Sequence, residues 1–284
     1  QIKKTVFSKN RVGDIIKVYK AISDNEEGQI VGQSIFETQM NNQSLFNEFA
    51  ILYRTNAQSR SLEESLRRRN IPYKIYGGLS FYQRKEVKDL LAYFRLLINP
   101  KDEESLKRII NFPARGIGTT TIQKLIVCSR TNKVSIWECI ENPIHHPKIE
   151  VNRGTLQKLK DFVLMMNSFR VQLQEDAFIL AESIAKSSTL IKELDKDKTP
   201  EGISRYENIQ ELLNAIKEFV EKNKKLNEPI TLDYFMQDVA LITDQDNDNK
   251  DNYNNVSMMT IHAAKGLEFP YIYIVGLEEN LFPS

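Results

Sequence analysis

Strand-like runs in this chain fall into two widely separated groups. DIIKVYKA (14–21), FAILYR (49–54) and IPYKIYGG (71–78) come early, and VSMMTIH (256–262) and PYIYIVG (270–276) come late. FAILYR is a short continuous apolar run of the kind that fills a buried parallel strand. Helical patterns separate the early runs: EEGQIVGQSIFETQM carries Ile30, Val31, Ile35 and Phe36 at helical spacing, and AQSRSLEESLRRRN turns Leu62 and Leu66 inward with Asn70 as a C-cap. Strand, helix, strand, helix, strand argues for an α/β layer with a parallel sheet.

From residue 84 the pattern is helical. KEVKDLLAYFRLLINP places Val87, Leu90, Leu91, Phe94, Leu97 and Ile98 on one stripe, ended by Asn99-Pro100. Amphipathic segments follow at about 102–111, 119–130, 155–173, 178–186, 204–223 and 231–241, and their apolar faces need a bundle to bury them. TDQDNDNKDN (243–252) reads as a solvated loop. Its alternating Asp244, Asp246 and Asp248 suggest a calcium loop, but Asn249 stands where that loop needs glycine and Asn255 where it needs glutamate. The simplest architecture is one α/β domain (1–105 and 249–284) interrupted by an inserted all-helical domain (106–248).

Composition sets outer bounds. The 284 residues are 41% hydrophobic and 27% charged, with a mean hydropathy of -0.42, enough apolar side chain for a real core. A net charge of +1 announces no global affinity for nucleic acid, although residues 60–88 are locally basic. Cys128 and Cys139 sit in apolar helical contexts and read as core thiols of a reducing cytoplasm. With His145 and His146 nearby, their spacing still fits no paired-ligand zinc pattern, so no metal is expected. No apolar stretch approaches the ~20 residues that span a bilayer, and QIKKTVFSKN has no h-region. A start without Met and an end at LFPS suggest a piece of something longer.

Two strand ends carry candidate chemistry. The end of VSMMTIH and the residues just beyond it put Thr260, His262, Lys265, Gly266 and Glu268 within nine residues. Thr and His offer hydrogen-bond donors, Lys a point charge and Gly a close-approach amide, which suit phosphates, while Glu268 suits sugar hydroxyls. A charged turn between two core strands is the alternative. At the end of FAILYR, Arg54 suits a phosphoryl group and Tyr53 a base to stack on; a strand-end pair snorkelling to solvent is the alternative. In ARGIGTTTIQKL, Arg115, Gly116, Ile117, Gly118 and Thr119 open a helix whose N-terminal amides suit a DNA phosphate, against a simple turn with a threonine cap.

Taken together, YRTNAQSR, YGGLSFYQRKEVKDLLAYFRLLINPKDEESLKRIINFPARGIG, RYENIQEL and MTIHAAKGLEFPYIYIVGLEENLFPS resemble, in the same order, the C-terminal half of UvrD/PcrA/Rep-type superfamily 1 DNA helicases. The match runs from about residue 11 to the end. The resemblance implies a RecA-like 2A domain interrupted by a helical 2B domain, in a 3′ to 5′ ATP-dependent helicase of DNA repair or replication. It implies that Tyr53 stacks on adenine, that Arg54 reaches the γ-phosphate as the catalytic arginine, and that Gly266 and Glu268 face the nucleotide, with Glu268 on the ribose. Lys265 would lie between nucleotide and DNA, Thr260 and His262 would face the single-stranded DNA backbone, and the Arg115–Thr119 turn would face duplex at a single-strand/double-strand junction.

No GxxxxGK[ST] loop and no strand ending in paired acids occurs in the sequence. ATP and Mg2+ would therefore be held largely by an N-terminal motor half of the same polypeptide, and this piece alone should neither hydrolyse ATP nor unwind DNA. A binding module for DNA or a repair protein, and a degenerate relative that uses this half as scaffold, are the alternatives.

Overall fold

The computed structural model describes residues 13–141, 151–248 and 253–278, with the backbone alone for 243–248. His145, His146 and Asn249 lie outside the described residues. The elements, in chain order, are α1 (Asp24–Asn42), β1 (Phe49–Tyr53), α2 (Ser59–Arg68), β2 (Tyr73–Ile75), α3 (Lys85–Ile98), α4 (Glu103–Ile109), α5 (Thr119–Asn132), α6 (Ile136–Glu141), α7 (Arg153–Arg170), α8 (Ala177–Ser187), α9 (Leu190–Asp195), α10 (Pro200–Leu226), α11 (Leu232–Asp248), β3 (Val256–Thr260) and β4 (Tyr271–Ile274).

The four strands form one parallel sheet in the order β2-β3-β1-β4. The late strands join the early ones within one sheet, and β3 enters its middle, pairing Tyr53 with Thr260 and Ile75 with Met258. Because side chains alternate along a strand, Phe49, Ile51 and Tyr53 share one face with Met258. That face is sealed by Val31 and Ile35 of α1 and Leu62 and Leu66 of α2. On the opposite face Ala50, Leu52 and Met259 are covered by Ile261, Ala264 and Phe269, while Ile272 and Ile274 of the edge strand are exposed.

The helices have a separate core, which begins at Phe81 and runs to Val239. The predicted stripe of α3 lies within it: Val87, Leu90, Leu91, Phe94 and Leu97 are fully buried, whereas Ile98 at the helix end is exposed. Local chemistry sets several helix starts. Ser23, Asp102, Asn152, Asp176 and Thr199 each accept a first-turn amide through the side chain, and Pro200 opens α10 where its missing N–H costs nothing.

Two readings need correction. Residues 14–21 form no strand: the segment is irregular, with Ile15, Ile16 and Val18 exposed, because β-branched residues become a strand only against a partner. Residues 243–248 are the last turns of α11 rather than loop; neither Gly nor Pro stands there to stop the helix. Cys128 and Cys139 are both buried and free.

Charged side chains join the two cores. Arg60 on α2 is 2% exposed and meets four carboxylates: Glu211 at 2.5 Å and Glu218 at 3.0 Å on α10, Glu64 at 3.2 Å, and Asp24 of α1 at 3.2 Å. Beside it the Arg84 guanidinium donates to Asn208 of α10 and to Ser59 of α2, both at 2.7 Å. Burial holds the Glu211 carboxyl up at about 7, above its ordinary 4.5 and despite Arg60, with Asp24 and Glu218 adding to the rise.

A carboxyl that binds its proton more tightly folded than unfolded contributes stability that is complete below about pH 4.5 and lost as pH rises through about 7. The denaturation midpoint should therefore fall between about pH 5 and about pH 7, and Glu211→Gln should flatten that fall. Equal slopes in the two proteins would remove Glu211 as the cause. Arg60→Met, which leaves four carboxylates facing one another, should cost about 3–5 kcal/mol in chemical denaturation.

Candidate nucleotide and nucleic-acid site

The β1–β3 pairing dictates the site. With Tyr53 opposite Thr260, the two chains leave the carboxyl edge of the sheet side by side, and the Ile261 amide donates to the Tyr53 carbonyl at 2.9 Å. This is the edge at which open parallel sheets place ligands. The next residues, Arg54 and His262, touch: Arg54 Nη1 lies 3.1 Å from His262 Nδ1 and 3.5 Å from Nε2. The ring nitrogens point in different directions, so a guanidinium close to both lies over the imidazole face rather than at one lone pair.

The loop after β3 is a run of tight turns. The Ala264 amide donates to the Thr260 carbonyl at 3.1 Å, the Ala263 amide to Thr260 Oγ1 at 3.3 Å, and the Leu267 amide to the Ala264 carbonyl at 2.9 Å. Ala264 and Phe269 anchor this loop on Ala50, Leu52 and Met259. Gly266 has φ +87, a conformation side chains resist, and open space where a Cβ would stand. His262, Lys265, Gly266 and Glu268 are exposed, and Thr260 is half-buried. The structure thus brings Arg54 and His262 together beside Thr260 at one sheet edge, and Lys265, Gly266 and Glu268 follow in the loop that leads from there to β4. A half-exposed cation, a free ammonium and an open glycine backbone fit one side of a polyphosphate. Among the described residues no group of three or more His, Cys, Asp or Glu could hold a metal ion.

Tyr53 departs from expectation. Its ring is fully buried, and its Oη has no hydrogen-bond partner. Burial, reinforced by the nearby Glu63 charge, pushes the phenol well above its ordinary pKa. It shares the helix-covered face with Phe49 and Ile51, so in this arrangement it offers no face for a base to stack on.

The glycine turn also divides. The Arg115 guanidinium is committed within the fold, donating to the carbonyls of Ile109 (2.8 Å) and Phe112 (3.0 Å) and to Tyr93 Oη (2.6 Å), and lying over the Tyr93 and Phe162 rings. Ile117 is buried, and its amide donates to Asn111 Oδ1 at 2.9 Å. Only Gly116, Gly118 and Thr119 are exposed for an outside contact, with Gly118 as the N-cap of α5.

A basic feature escaped the sequence reading. An open groove of about 430 Å³ between α3 and α4 is lined by Lys88, Arg95, Lys107 and Arg108 against one exposed acid, Glu104. Arg108 pairs with Asp89 at 2.6 Å and Lys107 with Glu104 at 3.0 Å, whereas the Lys88 and Arg95 side chains have no partner among the described residues. The signal was the spacing of Lys88 and Arg95, two helical turns apart on the flank of the apolar stripe.

The family model described as the UvrD-like helicase C-terminal domain matches residues 1–284. Proteins named ATP-dependent DNA helicase PcrA from Staphylococcus epidermidis are 37% identical over 284 residues, covering 99% of this chain and 37% of the relative. The corresponding protein of Staphylococcus aureus is 36% identical with the same coverage. The chain therefore spans about 37% of the length of the curated relatives it matches. With the whole chain matched by the family model, it belongs to the UvrD-like helicase C-terminal domain family.

Proposed function

We propose that this chain is the C-terminal motor half of an ATP-dependent DNA helicase with 3′ to 5′ polarity, acting in the cytoplasm in DNA repair or replication. The observation that carries the reading is the Arg54 guanidinium lying over His262, which joins a phosphate-seeking cation to a residue facing nucleic acid across one pair of strands. ATP, the substrate, would lie between this sheet edge and an N-terminal motor half that holds Mg2+ and most of the polyphosphate. Arg54 reaches the transferred phosphoryl group and offsets the charge that develops on it. The Gly266 amide approaches the phosphates closely, Lys265 stands between the two ligands, and Glu268 accepts from the ribose. Thr260 and His262 face the backbone of single-stranded DNA. Tyr53, enclosed as it is, holds the strand end that presents Arg54, and stacking on it would require its cover to part.

The sheet and its covering helices correspond in this reading to the RecA-like 2A domain, and the inserted helices to the mobile 2B domain. The polar, charged junction of Arg60 and Arg84 with α10 favours such a division, since a polar junction separates more readily than an apolar one, but the helical core reaches back to Phe81 and takes in α3, ahead of the boundary at 105. At a single-strand/double-strand junction the duplex would meet Gly116, Gly118 and Thr119 and the groove of Lys88 and Arg95. Closure of the cleft on ATP and reopening after hydrolysis then moves this half along the strand. A DNA- or protein-binding module without motor function is the competing reading, and the relatives named as helicases do not favour it.

In the intact motor, Arg54→Ala should lower DNA-stimulated ATP turnover by about 10³-fold or more while leaving DNA affinity nearly unchanged. Near-normal turnover would overturn the reading. Replacing Lys88 and Arg95 together by Gln should weaken hairpin-DNA binding and flatten the plot of log affinity against log salt by about 2, one unit per lost phosphate contact. An unchanged slope would take the α3–α4 groove off the DNA surface. Arg115→Ala should instead lower thermal stability, because it removes the hydrogen bonds to Ile109, Phe112 and Tyr93 and the contacts over the Tyr93 and Phe162 rings, with little change in that slope.

A further inference from the structure

Gln58 lies four residues beyond Arg54, in the one-turn 3-10 helix that leads into α2. Its Oε1 accepts two backbone amides at once, Arg54 N at 2.9 Å and Thr55 N at 3.0 Å. An ordinary cap on this turn needs only the Thr55 amide. The second bond fixes the peptide that carries the Arg54 side chain. The other end of the Gln58 amide is seated against Gly276, just past β4: a Cβ there would stand 1.8 Å from Gln58 Nε2, far inside contact distance. Gly276 also has φ +67, and its own amide donates to Glu27 Oε1 of α1 at 2.9 Å. The half-buried Gln58 side chain is thus held between the ends of β1 and β4.

We propose that Gln58 is a positioning residue for Arg54: seated on the side-chain-free surface of Gly276, it clamps the Arg54 and Thr55 amides and so aims the guanidinium at the reacting phosphate. Glycine at 276 suits its φ of +67, and a Cβ there would also displace this clamp. The inference rests on the reading of Arg54 given above. It adds two residues to the site, one of them on a strand end that contributes no group to the nucleotide. Gln58 touches neither nucleotide nor DNA, and its effect falls on the chemical step rather than on binding, because an arginine that engages developing charge lowers kcat when misaimed.

Hydrogen exchange on this chain and steady-state kinetics on the intact motor test it together. Gln58→Met should speed exchange of the Arg54 and Thr55 amides at least tenfold while distant amides of α3 keep their protection. In the motor it should lower kcat for ATP about tenfold or more with KM within about threefold. Combined with Arg54→Ala it should add nothing further, since the clamp acts only through that arginine. Gly276→Ala, which leaves Gln58 in the sequence but displaces it, should reproduce both effects and serves if Gln58→Met fails to fold. Loosened amides with unchanged kcat would overturn the proposal, as would an additive double variant. Normal turnover in Arg54→Ala alone would overturn instead the reading of Arg54, a result distinct from either.

Discussion

The pairing of β1 with β3 governs the molecule. Residues 50–53 and 257–260 are neighbours because four residues of each lie in parallel register, and the meeting of Arg54 with His262 hangs from that register. A slip of one residue would invert the faces, sending Tyr53 to the open side and parting Arg54 from His262. The register is well specified because the faces differ: Phe49, Ile51, Tyr53 and Met258 fill the space under α1 and α2, while Ala50, Leu52 and Met259 take the anchor of the β3–β4 loop. The apolar core thereby sets the separation of two polar side chains with no packing role of their own.

The layout of the fold was legible because periodicity reports burial. FAILYR read as a buried strand and is one; the α3 stripe read as core and is core except at Ile98. What failed were segments whose state depends on a distant partner or on length. Residues 14–21 have strand composition but stand unpaired, and α6 and α9, at six residues each, are too short for a period to show. Tyr53 could have been read better: two residues beyond Ile51 and four beyond Phe49, it had to share their covered face.

The site was legible in its residues and not in its contacts. Chemistry alone left Thr260, His262, Lys265, Gly266 and Glu268 divided between a ligand loop and a charged turn, and it is the resemblance to a family that implies the ligand loop. The touch of Arg54 on His262 needed the register. Gln58 carried no signal, since a glutamine in a helix start is ordinary until its two amides and Gly276 are seen. Arg115 misled for a physical reason: arginine beside glycines suggests an anion, but the same planar cation fits between two aromatic rings and three carbonyl or hydroxyl oxygens.

The place of β3 between β1 and β2 carries a further consequence, for synthesis. When the ribosome has made β1, α2 and β2, the strand that belongs between the first and last of these is still some 180 residues away in the sequence. Until it arrives, FAILY has unpaired edges and an apolar face that seek any strand available. The helical body, rich in local contacts, can fold meanwhile. The helices between β2 and β3 are thus made, and can pack on one another, before the strand that completes the sheet exists.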